Sequence, residues 1–204
     1  MTPQRREELH VSPDRVRIGP PAVKYRGIFI NDEMWGIRPW AAGTFAPDEG
    51  LGLGPKTYAK IFELLLRLRA NYLWPAMHLN TIPFNNYEQN KVVADNYAIV
   101  MGSSHIEPML RNNMNGAEWD REVGTEWNYM TNGEAIRDYW ARRLKANGRY
   151  ENVYTLGLRG KDDEPSMVIS GLSSRRSSSA ISTVAIRAPA SPGSAARIAT
   201  VNIC

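Results

Sequence analysis

Two clusters of carboxylates each follow a short apolar run in this chain. Gly27-Ile28-Phe29-Ile30 leads into Asn31-Asp32-Glu33, and a run from Val153 to Leu158 leads into Asp162-Asp163-Glu164. Paired carboxyl groups, one protonating a leaving oxygen and one activating water, are what glycoside hydrolysis requires. Neighbouring residues on a strand point to opposite faces, so Asp32 and Glu33 cannot both face one site. Asp32 and Glu164 are the first candidate catalytic pair, with Glu33 and Asp163 as alternates. The bland reading of such acids is that they cap the helices that follow. Trp35 and Trp40 flank the first cluster and offer indole faces that stack on sugars or close a pocket floor. His78 and His105 follow two further apolar stretches. Other chemistries find little support: there is no GxSxG, the only cysteine is the terminal Cys204, and no HExxH occurs. A metal reading of His78, His105 and Glu107 lacks ligand spacing. No metal and no cofactor are expected.

The residues need a frame that brings strand ends together. Residues 1–22 carry Pro3, Pro13, Pro20 and Pro21 and read as a polar leader or linker. Residues 23–167 alternate strand and helix patterns. Strands are predicted at Tyr25–Asn31, Tyr72–Met77, Ala98–Gly102 and Asn152–Leu158. Between the first two, Pro55 suits a first helical turn, and Tyr58, Ile61, Phe62, Leu65 and Leu68 form a helical stripe that Leu64 and Leu66 widen. That helix should be buried on more than one side and stop near Asn71. A helix is also expected around Tyr87–Tyr97. Thr131 and Glu134 read as a capping box for a later helix on which Trp140 faces the core. Strands separated by helices imply parallel pairing. A doubly wound sheet and half of an eight-stranded barrel both fit, but NDEMWG is not the glycine-rich turn of the former. Polar clusters at four strand ends favour the barrel, whose chemistry sits on the C-terminal rim. The predicted fold class is therefore α/β, a partial (β/α)8 TIM-type barrel of about four βα units. Residues 168–204, rich in Ser, Ala and Arg, are expected to be a disordered tail outside the native fold of a truncated gene product.

Composition narrows the partners. At 43% hydrophobic and 23% charged, with six Trp and nine Tyr, the chain is ordinary globular material. Its 25 basic and 21 acidic side chains invite a nucleic-acid reading. The whole excess, however, is the four tail arginines, Arg175, Arg176, Arg187 and Arg197. A neutral body offers no broad phosphate-binding face, so no nucleic acid is expected. No apolar run reaches membrane-spanning length, and the first residues lack the apolar core of a secretory signal.

Four blocks make a more specific match: YRGIFINDE, GPKTYAKIFELLLRLRANYLWPAMH, YAIVMGSSHIEPMLRN and YTLGLRGKDDEPSM. In this order they resemble glycoside hydrolase family 115, the xylan α-1,2-glucuronidases, over roughly Pro21 to Met167. The resemblance implies an inverting enzyme on a (β/α)8 barrel that removes glucuronic acid or its 4-O-methyl ether from xylan side chains. The expected partners are xylan or glucuronoxylan oligosaccharides, and the full-length protein has room for a dimer. Extracellular action is implied, although no export signal is visible. An anionic substrate calls for a cation, and Arg111 and Arg159 are the candidates for a bidentate clamp. The resemblance also puts His105 at the substrate pocket, with His78 in the same register. Family members are much longer than this chain. A carbohydrate-binding piece without catalysis, or a product that does not fold stably, are the rival readings.

Overall fold

Three short strands lie side by side in parallel and in chain order: β1 (Gly27–Phe29), β2 (Tyr72–Trp74) and β3 (Val100–Met101). Ile28 pairs with Leu73, and Leu73 with Met101. A fourth position is marked by one parallel bridge from Met101 to Asn152, where Val153 N donates to Met101 O at 2.8 Å. The computed structural model describes residues 8, 10, 15, 17–31, 33–114, 117–156 and 160–162, and the backbone of 182–187 and 197–202.

Close approach of Tyr72, by its backbone at one point and its side chain at the other, explains two glycines in this sheet. A Cβ on Gly27 would lie 1.8 Å from the carbonyl oxygen of Tyr72, and one on Gly102 would lie 2.0 Å from the Tyr72 hydroxyl. At Gly27 the clash is with backbone, so only a residue without a side chain fits; at Gly102 it is with the Tyr72 and Trp74 side chains, which would have to shift.

The helices are α1 (Ile37–Trp40), which runs into a π turn at Ala41–Phe45, then α2 (Pro55–Arg67), α3 (Glu88–Asn96), α4 (Ala117–Glu122) and α5 (Tyr129–Asn147). Helix α2 connects β1 to β2, and α3 connects β2 to β3. Pro55 opens α2, and the Glu49 carboxylate reaches in from the preceding loop to accept Lys56 N at 2.7 Å. The α2 face carrying Tyr58, Ile61, Phe62 and Leu65 packs with Leu73, Ala76, Ile99 and Met101 into the main core. A second core forms around α4 and α5, where Trp119 meets Trp127 and Tyr139 edge-on at 4.9 and 5.1 Å. Trp140 packs at the margin of that cluster.

Several local expectations are corrected. The strands are shorter than their apolar runs, because ladder pairing stops where the chain turns into the loops at the strand ends. Leu64 and Leu66 are exposed, so α2 buries one face only. The helix ends at Arg67, and Arg69 adopts φ 61°, turning the chain into β2 before Asn71. The capping box does not form: α5 begins at Tyr129 and is capped by the Asn128 side chain, which accepts from Met130 N at 3.0 Å. Thr131 instead lies inside the helix, beside a kink at Asn132 (φ −124°). Within the tail, β4 (Ser182–Arg187) and β5 (Arg197–Asn202) pair antiparallel, where no regular structure was expected. STVAIR and RIATVN each carry three β-branched residues on either side of a Pro- and Gly-containing stretch of sequence, a pattern of hairpin type at a length that overall composition hides. No helix among the described residues is long and apolar enough to cross a membrane. Among the described residues, no strand pairs with the outer edge of β1.

Candidate functional site

Parallel strands deliver their C-terminal loops to one end of the sheet, and a cleft of about 230 Å³ opens there. Its lining comes from every βα unit: Asn31 after β1, Met77 and His78 after β2, His105, Ile106 and Met114 after β3, and Asp162 after the fourth segment. The volume is below the range for drug-sized ligands and suits a single sugar ring. Two imidazoles, an amide and a carboxylate face it across an apolar wall of Met77, Ile106 and Met114. That is the composition of a site for a small, hydroxyl-rich ligand.

Glu33 lies beneath this cleft rather than in it. It opens the 3-10 turn Glu33–Trp35 and is buried. Its Oε1 accepts Met77 N at 3.0 Å and His78 N at 2.8 Å, and Oε2 lies 2.8 Å from His78 Nδ1. The single hydroxyl proton of Thr81 is shared between Glu33 Oε1 at 2.9 Å and His78 O at 2.8 Å. Burial by itself would raise the pKa of this carboxyl. The hydrogen bonds it accepts from its own backbone, from His78 and from Thr81 outweigh burial and hold it below the usual range. An ionised carboxylate with both oxygens engaged is a poor proton donor.

The other side of the same loop is held by Asn112, whose Nδ2 donates to Met77 O at 2.7 Å and to Glu107 Oε1 at 3.0 Å. Glu107 is buried, and its Oε2 has no hydrogen-bond partner among the described residues. Desolvation pushes its pKa up to about 8, against the Asn112 hydrogen bond and with help from the charges of Glu118 and Glu33. It is a neutral acid at pH 7.

Of the residues singled out from sequence, His78 and His105 come together in the cleft, joined by Asn31. Trp35 and Trp40 do not line it. Trp35 is 87% exposed, and Trp40 is 42% exposed with its ring stacked on Phe45 at 4.6 Å. Arg111 is buried in an ion network, and its direction is set by internal partners. It contacts Glu118 at 2.5 Å and Glu122 at 3.0 Å, donates to Tyr139 O, and lies 3.9 Å over the Tyr139 ring. Asp32, Asp163, Glu164 and Arg159 lie outside the described residues. Asp162 is the addition: sequence reasoning named its cluster but favoured its neighbours. Its backbone holds φ 54°, and its N–H donates to Asn113 O at 3.2 Å, a strained turn with no marker such as glycine in the sequence. The cleft wall of Met77, Ile106 and Met114 carried no sequence signal at all. No group of three His, Cys, Asp or Glu side chains among the described residues has the geometry to hold a metal ion.

A family model for glycosyl hydrolase family 115 matches residues 18–187, running past Met167 into the tail. Among solved structures, one match is described as a novel family GH115 4-O-methyl-alpha-glucuronidase, BtGH115A, with specificity for decorated arabinogalactans. It is 46% identical, with a TM-score of 0.67, over 72% of this chain and 19% of that one. The chain thus spans about a fifth of the length of that relative. No curated protein matches.

Proposed function

Because this chain belongs to glycosyl hydrolase family 115, we propose that it contributes part of the active site of an α-glucuronidase. The reaction is hydrolysis of the bond between glucuronic acid, or its 4-O-methyl ether, and a plant polysaccharide. The observation that carries this reading is the cleft at the strand ends, where His78, His105, Asn31 and Asp162 converge in a chain matched to the family over residues 18–187. Its size favours one sugar, which fits removal of a side chain better than cleavage of a backbone.

The proposed mechanism is inversion. One carboxylic acid protonates the glycosidic oxygen, and one carboxylate activates water on the opposite face of the ring. The pair is drawn from Asp32 and the Asp162–Glu164 cluster, with Asp32 and Glu164 preferred. Glu33 is set aside as the acid, since its oxygens are occupied and its pKa is lowered. Arg159 remains the proposed cation for the uronate; the internal partners of Arg111 argue against it. On substrate, α-1,2-linked side chains of xylan are the first proposal. Decorated arabinogalactans are the second, because the 46% identical relative carries that specificity.

The test is release of 4-O-methylglucuronic acid by this chain from both kinds of oligosaccharide, followed by NMR of the first anomer formed. Release that disappears in Glu164→Gln, with the β anomer first, supports the reading. A chain that melts cooperatively yet neither releases the acid from nor binds either oligosaccharide overturns it. Release of the α anomer first overturns inversion alone.

A further inference from the structure

The bonds around Glu33 define the state of His78 as well as its position. A carboxylate only accepts hydrogen bonds, so the nitrogen facing Glu33 Oε2 at 2.8 Å must carry the proton. In a neutral imidazole the other nitrogen is then a lone-pair acceptor. His78 lines the cleft, and its side chain is partly exposed there, whereas Glu33 is wholly enclosed. We infer that Glu33 is a positioning residue that locks His78 in the Nδ1–H tautomer and so presents Nε2 to the cleft as an acceptor for a sugar hydroxyl. The half of this inference that concerns the sugar rests on the function proposed above; the tautomer does not.

The backbone contacts make the assignment sharp. Oε1 is already fixed as the acceptor for Met77 N and His78 N, two donors on one oxygen. In a Glu33→Gln variant the amide oxygen must stay on those two N–H groups, since an NH2 there would face donors with a donor. The amide nitrogen is then turned toward His78 Nδ1, which can meet it only as an acceptor. The substitution should therefore move the proton to Nε2 and convert the cleft-facing group from acceptor to donor, with little change in shape.

Long-range proton–nitrogen NMR of the imidazoles reads this directly. The chain has only three histidines, so single substitutions of His10 and His105 identify the His78 signals. The expected result is the Nδ1–H pattern in the unaltered chain and the Nε2–H pattern in Glu33→Gln, while a merely structural role for Glu33 would leave the ring pattern unmoved. An Nε2–H pattern in the unaltered chain overturns the proposal, whether or not the variant folds. So does an unchanged pattern in a variant that keeps its melt. Titration with methyl α-D-glucuronide should then shift His78 Nε2 in the unaltered chain. A correct tautomer with no such shift overturns the sugar contact and leaves the positioning role standing.

Discussion

Glu107 shows how one side chain can set the pH response of the fold. Burial raises its pKa from the ordinary 4.5 to about 8, so across that window the folded chain holds a proton that the unfolded chain releases. Stability should fall as pH rises from about 4.5 to about 8 and level off above. Glu33 acts in the opposite sense, because its pKa is lowered: its contribution is present above 4.5 and is lost as pH falls through the folded value. Denaturant midpoints of the unaltered chain and of Glu107→Gln, compared from pH 5 to 9, separate the two. The difference should grow with pH in favour of the variant, and a constant difference would sink the assignment. Glu107 and Glu33 also mark the limit of reading residues from sequence. Glu33 stood out as a strand-end acid and Glu107 only beside the two histidines as a weak metal reading, and His78 and His105, also singled out, both line the cleft. The partnerships of Glu33 span 44 to 48 residues, which no local pattern encodes. Trp35 illustrates the converse: an indole beside an acidic cluster reads as a sugar platform, yet only three-dimensional packing decides whether its face meets a cleft or solvent.

Elements carry the next level. The order of strands and crossovers was legible, because apolar runs alternate with the 3.6-residue stripe of α2. The strand ends were not, since a run such as Tyr72–Met77 stays apolar while β2 itself stops at Trp74. The fourth strand is reduced to a bridge at Asn152 for the same reason. Gly27 and Gly102 fix how close the strands come, and they fail differently. A methyl on Gly27 meets backbone, the Tyr72 carbonyl, which cannot move without breaking the β1–β2 register. One on Gly102 meets the Tyr72 and Trp74 side chains, which can yield. Both alanine variants should lower stability as read by denaturant unfolding, Gly102→Ala by about 1–3 kcal/mol as overpacking does, and Gly27→Ala by more. The reverse order would show that the β1–β2 approach is not the tight point of the sheet.

The whole molecule is held together by its sheet core and by charge buried beside it. Glu118 accepts from Arg111 and Arg143, each at 2.5 Å, and from Asn112 N at 2.7 Å, tying α4 and α5 to the loop that supports the cleft. Replacing it with glutamine leaves two guanidinium groups enclosed without their full counter-charge, which costs about 3–5 kcal/mol. Glu122, nearer solvent on the same network, should cost less than about 1 kcal/mol. Urea titrations of Glu118→Gln and Glu122→Gln test this, and equal losses would refute it. The neutral body and tail-borne arginines were legible from composition alone; the internal use of Arg111 was not, because pairing distance is invisible in sequence. Finally, the parallel sheet has a consequence in time. Gly27 waits for Tyr72, its partner across the ladder, to be synthesised. At roughly 5–20 residues per second, that delay is about 2–9 s. During it Ile28 and Phe29 have no strand to join, because Leu73 and Trp74, their partners across the ladder, do not yet exist.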